Sequence, residues 1–145
     1  MLRQINFKVS GKPIGKGRPR FTKSGHVYTP NETKQYETRI KNAAWAAMKR
    51  EKLNPTDRRV TITASAYFEV PKSYNKQKRI ECQCGIHIPK RPDIDNIAKS
   101  ILDGCNGIAF KDDCQVWHLS VNKRFCDVLD VPHINVKIQW DEQKS

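Results

Sequence analysis

Asp93 and Asp95 stand one residue apart in the stretch RPDIDNIAKSILDG, directly after the basic pair Lys90 and Arg91. Carboxylates held close together repel, and a bound divalent cation offsets that repulsion. Mg²⁺ suits such a place, because it takes hard oxygen ligands: one or two carboxylates, waters and substrate phosphate oxygens. Two positions apart on a helix would point the pair in different directions. In extended backbone entering a helix they can share a side, and Pro92 favours that geometry just before the helix begins. A helix N-terminus adds about 0.3–1 kcal/mol in favour of negative charge. Lys99 follows one turn beyond Asp95, and Asp103 one turn beyond Lys99, on a single stripe. Asp112 and Asp113 come just before an apolar run, at an element end where a carboxylate can complete a site. Five of the chain's 15 acidic residues thus fall between Asp93 and Asp113, opposed there only by Lys99 and Lys111. Each of them singly also reads as a helix cap or a solvated turn.

That acidic island interrupts a strongly basic chain. Over 145 residues, 27 Lys and Arg against 15 Asp and Glu give a formal charge of +12. A polyanionic partner, nucleic acid above all, is the simplest cause. No run approaches the roughly 18 apolar residues of a transmembrane span, and the N-terminus alternates where a signal peptide would be apolar. A cytoplasmic protein without a membrane partner is expected. Cys82 and Cys84 form a C-x-C pair, unlike the C-x2-C of zinc sites, and the five thiols are expected to be reduced. No phosphate-cradling glycine motif is present, which weighs against a nucleotide-dependent small-molecule enzyme.

The elements that position these groups are readable from periodicity. Ile5, Phe7 and Val9 alternate with polar residues as in a half-buried strand. GKPIGKGRPRFTKSGHVYTP carries too many breakers for a regular element and reads as a basic loop. Thr29, Pro30 and Glu32 supply helix-start chemistry, and Tyr36, Ile40, Ala44, Ala47 and Met48 follow at helical spacing, predicting a helix from about Pro30 to Glu51. Residues 60–68 alternate most clearly of all. A short helix is expected after Ser73, and a longer one from the RPDID stretch to Gly104 or Gly107, with Ile97, Ile101 and Cys105 as its apolar stripe. Trp117, Leu119 and Val121 predict a third strand, and Ile134 to Trp140 a fourth. The expected class is α+β: a single domain over residues 1–145, with a mixed sheet of about four strands packed against two or three helices.

Arg91-Pro92-Asp93-Ile94-Asp95-Asn96, Lys99, Leu102-Asp103-Gly104, Asn106-Gly107 and Asp112-Asp113-Cys114-Gln115-Val116 together resemble the signature of the RusA-type Holliday-junction resolvases. Gly15 to Arg20 and Val70 to Ser73 are similar to other segments of that family. The resemblance implies a RusA-like fold and a homodimeric endonuclease that resolves four-way DNA junctions with Mg²⁺, or Mn²⁺ in its place. It implies Asp93, Asp95 and Asp113 as metal ligands, Lys99 as the functional lysine, and Asp112 as an accessory acid. Gly104-Cys105 departs from the family's usual Ala-Leu, on the side expected to pack. DNA contacts are expected from Lys16, Arg18, Arg20 and Lys23 on the Gly/Pro loop, and from Lys72, Lys76, Lys78, Arg79, Lys90 and Arg91. Phe21, Tyr28 and Tyr74 lie among these bases as candidates for base stacking or for the core. Two alternatives stay open: a nuclease for other branched DNA, and a DNA-binding module without catalysis.

Overall fold

The computed structural model describes residues 1–17, 20–28 and 31–142. In chain order it holds β1 (Leu2–Ser10), β2 (Arg20–Phe21), β3 (Val27–Tyr28), α1 (Asn31–Arg50), β4 (Val60–Phe68), α2 (Lys76–Gln83) and α3 (Ile94–Cys105). A 3₁₀ turn (Asp113–Gln115), β5 (Val116–Phe125) and β6 (His133–Asp141) follow.

Four strands form one mixed sheet in the order β1-β6-β4-β5. Pairing is antiparallel except between β4 and β5, which run parallel. A parallel pair needs a long crossover, and here the crossover carries α2 and α3. That route brings α3 alongside β5 and returns the chain to the sheet through the Asp113 turn. The architecture is the expected α+β arrangement, with three α-helices and a four-stranded sheet among the described residues.

The alternation along each strand decides which face is covered. Ile5, Phe7 and Val9, Ile62, Ala64 and Ala66, and Ile134, Val136 and Ile138 are buried beneath the helices. Thr61, Thr63 and Ser65, on the opposite face of β4, remain half-exposed. α1 contributes Tyr36, Ile40, Ala44 and Ala47 to the same core, and α3 contributes Ile97, Ile101 and Cys105. Each large aliphatic side chain fully buried in this way is worth about 1.5–3 kcal/mol. The two helices meet at Gly104, where a Cβ would lie 2.5 Å from Ile40 Cγ2. The Gly104-Cys105 departure therefore sits in the α1–α3 packing, as expected. Burial pushes the Cys105 thiol up to about 12, leaving it an unreactive packing group.

One expectation changes. The basic loop contains a short hairpin, β2 paired with β3, closed by a turn in which Gly25 has φ +85°. Thr22 accepts from the His26 backbone N–H and holds that turn. The strand expected around Trp117, Leu119 and Val121 is present as β5, with Trp117 61% exposed on it. The expected helix start at Thr29 and Pro30, and Arg18 with it, lie outside the described residues. Among the described residues no helix is long and apolar enough to cross a membrane.

Candidate active site

Asp93 is the N-cap residue before α3; its backbone is extended (φ −65°, ψ 148°) and its side chain makes no capping hydrogen bond. Its carboxylate is therefore not spent on the helix end. Asp95 lies in the first turn, where the helix dipole favours an anion. Asn96 and Lys99 follow on the same side, and Ile97 and Ile101 point into the core. The apolar stripe thus fixes the rotation of α3 and turns its polar stripe outward.

Asp112 and Asp113 have separate jobs. Asp112 caps the 3₁₀ turn: its Oδ1 accepts from the Asp113 N–H at 2.9 Å. Gln115 completes a capping box by accepting from the Asp112 N–H at 2.9 Å. The same Gln115 amide donates to the carbonyls of Thr56 (2.8 Å) and Arg58 (2.7 Å). One side chain thereby ties the turn to the segment preceding β4. The hydrogen bond between Cys114 and Asp112, with both neighbouring carboxylates, raises the Cys114 thiol pKa. Asp113 is left facing the site.

A single cleft of about 480 Å³ is lined by Asp93, Asp95, Asn96, Lys99, Asp103, Asp113 and the Lys16–Gly17 segment. Asp113, distant in sequence, thus shares one cleft with Asp93, Asp95 and Lys99. Among the described residues no three His, Cys, Asp or Glu side chains stand close enough together to hold an ion by themselves. The donor set still suits Mg²⁺, which needs only one or two carboxylates and completes its shell with water and phosphate oxygens. Asp93 also pairs loosely with the exposed Arg91 at 3.5 Å.

The loop after β1 straps this region. Lys16 N–H donates to the Asn96 carbonyl at 2.8 Å, and Ser100 Oγ donates to the Ile14 carbonyl at 2.9 Å. Gly15 lies so close that a Cβ would come within 2.8 Å of Pro92 and 2.9 Å of Asn96. Lys16, expected among the DNA-facing bases, points inward, 2.5 Å from Glu37 and 3.1 Å from Asp103. Burial works to lower its pKa, but the hydrogen bonds and charges of Glu37 and Asp103 outweigh it and the pKa is raised. Asp103 accordingly serves this ion pair. Sequence reading missed both the Lys16 clamp and the Gln115 tie; only the D-D-x-Q spacing hinted at the second, through capping-box chemistry.

Of the remaining expected DNA contacts, those whose side chains are described lie outside the cleft. Lys76, Lys90 and Arg91 are exposed, as are Lys23 and Lys72. Arg20, Phe21 and Tyr28 are described only as backbone of the hairpin strands. Lys78 is half-buried with its ammonium 4.0 Å from the centre of the Tyr74 ring, and Arg79 donates to the Tyr74 carbonyl. Lys123 donates to the Pro92 carbonyl at 3.2 Å, fastening β5 to the entry of α3.

A mixed sheet with an acidic, lysine-bearing cleft on its crossover helix, in a chain this basic, defines the class, and residues 10–139 match the family of endodeoxyribonuclease RusA, to which the chain belongs. It is also 31% identical over 141 residues to the uncharacterized protein YqaN of Bacillus subtilis (strain 168), covering 93% of this chain and 95% of that one.

Proposed function

We propose that the protein is a Mg²⁺-dependent endodeoxyribonuclease that cuts branched DNA, four-way junctions foremost, and acts as a homodimer in recombination and repair. The observation that carries this reading is the shared cleft of Asp93, Asp95, Asp113 and Lys99 in a chain of charge +12. One or two of Asp93, Asp95 and Asp113 would hold the cation, with water and phosphate oxygens completing its shell. When bound, it lowers the pKa of a coordinated water and neutralises charge on the phosphate.

The side chains of the chain do the rest. A DNA strand laid in the cleft presents its phosphate to the Lys99 ammonium, which stabilises negative charge as it builds during displacement. Lys16 is held back from the phosphate by Glu37 and Asp103, so it organises the wall of the cleft. Lys72, Lys76, Lys90 and Arg91 attract the DNA backbone, releasing counterions and making binding fall steeply with salt. Such contacts position DNA without reading its sequence. Selection of a four-way junction then rests on shape, and a two-fold dimer matches a two-fold target.

The test is cleavage of a labelled four-way junction with Mg²⁺, with and without chelator, by wild type and Asp95→Asn. The variant removes one negative charge at nearly constant shape. Its cutting should fall by more than about 100-fold, beyond the loss typical of outer-shell changes, with junction binding equal or tighter. Failure of Asp95→Asn to bind junctions would overturn the assigned role. Chelator-insensitive binding without any cutting by wild type would identify a binding module instead.

A further inference from the structure

Trp117 is the largest aromatic side chain near the Asp113 turn, and it is turned outward. Val116 pairs with Val60 and His118 with Thr61, so Trp117 is the extra residue of a β-bulge. A bulge re-aims the side chain it carries. The Arg59 guanidinium carbon sits 4.7 Å from the centre of the indole ring. The ring lines an open cleft of about 580 Å³ with Leu2, Arg58, Thr61 and Gln139.

Among the described residues Arg59 makes no ion pair. The two carboxylates at this cleft have cationic neighbours: Asp57 lies 3.9 Å from Arg58, and Asp141 pairs with the N-terminal ammonium at 3.0 Å. The platform is also fixed relative to the active-site turn. Gln115, which carries the turn, donates to the Arg58 carbonyl, and Arg59 follows directly.

We propose that Trp117 and Arg59 form a stacking platform for an unpaired base of branched DNA. Every base presents a π-face, so capture there tolerates any sequence, and Arg adds a cation–π contact. In continuous duplex both faces of each base are already covered, so the platform favours DNA with displaced bases. A second copy of the chain is the weaker occupant, because it would bring another strongly positive surface to an arginine-bearing cleft. This inference rests on the branched-DNA reading.

The test is equilibrium binding, in chelator, of wild type, Trp117→Ala, Trp117→Phe and Arg59→Ala. The probes are a plain duplex, the same duplex with a single-stranded tail, and a four-way junction. Trp117→Ala should weaken tail and junction binding about tenfold, or about 1.4 kcal/mol, with less than about twofold change on duplex. Trp117→Phe should retain most of the wild-type affinity, and Arg59→Ala should weaken in the same direction as Trp117→Ala. A 2-aminopurine in the tail should lose emission on binding wild type and keep it with Trp117→Ala. Equal affinities of wild type and Trp117→Ala for the tailed duplex would overturn the platform. So would an equal loss on all three probes, or a change in sedimentation showing that Trp117 joins two copies. Absence of cutting by wild type sinks the nuclease reading instead, and the tailed-duplex comparison still decides the platform.

Discussion

Replacing Gln115 by alanine removes three hydrogen bonds at once, those to Thr56 O, Arg58 O and Asp112 N. A neutral hydrogen bond contributes about 1 kcal/mol net, giving a gross loss near 3 kcal/mol. Thr56 O keeps a second donor in the Lys111 N–H. Asp112 is exposed, so water can replace part of the loss there. The net destabilisation expected is therefore about 2 kcal/mol, or a fall in Tm of about 4–8 °C for a chain of this size. Gln115→Glu should be worse, because its carboxylate would face two carbonyl oxygens where the amide now donates. Urea unfolding at constant m-value measures both changes. Junction cleavage should fall alongside, since the Asp113 turn loses its tie to the β4 entry. Stability of Gln115→Ala within about 0.5 kcal/mol of wild type, the range of inert surface changes, would refute the reasoning. So would a Glu variant as stable as the Ala variant.

Gly104→Ala gains about 1 kcal/mol of helix propensity. It sets a Cβ against Ile40, so overpacking should win by about 1–2 kcal/mol, read as a lowered urea midpoint. Lys16 has a raised folded pKa, so the stability from its pairs with Glu37 and Asp103 is intact below its ordinary value of 10.5 and is lost as pH rises through the folded value. Lys16→Met should therefore flatten the decline of Tm above pH 10.5, and an unchanged slope would remove the clamp from the balance. Lys90→Ala with Arg91→Ala should lower the slope of log affinity against log salt by about 2; an unaltered slope would take both residues off the DNA interface.

Much of this was legible in the sequence for identifiable reasons. β4 has a strict period of two because one face is buried and the other is not. α3 announces itself through Ile97, Ile101 and Cys105, and that stripe fixes where Asp95 and Lys99 point. The hairpin at residues 20–28 escaped because two-residue strands are too short to show a period, and its turn chemistry lay inside a stretch already full of glycine and proline. Trp117, Leu119 and Val121 marked β5 by their alternation, but the alternation cannot register an inserted residue; the bulge at Trp117 is a property of the pairing with β4. The roles of Lys16 and Gln115 depend on contacts with Glu37 and Arg58, distant in sequence. Asp112 and Asp113 look alike as neighbours, and only the turn's hydrogen bonds separate the cap from the cleft-facing acid.

Gly15 has a consequence for how substitutions in this protein are to be interpreted. The strap rests on Pro92 and Asn96 because no side chain intervenes, so the spacing of the cleft wall there is set by an absence. In a saturation survey, position 15 should be punished for nearly every replacement, as Asp95 would be, although it offers no reactive atom. Intolerance beside this cleft thus has two sources, chemistry and clearance, and an assay of folding in parallel with cutting tells them apart.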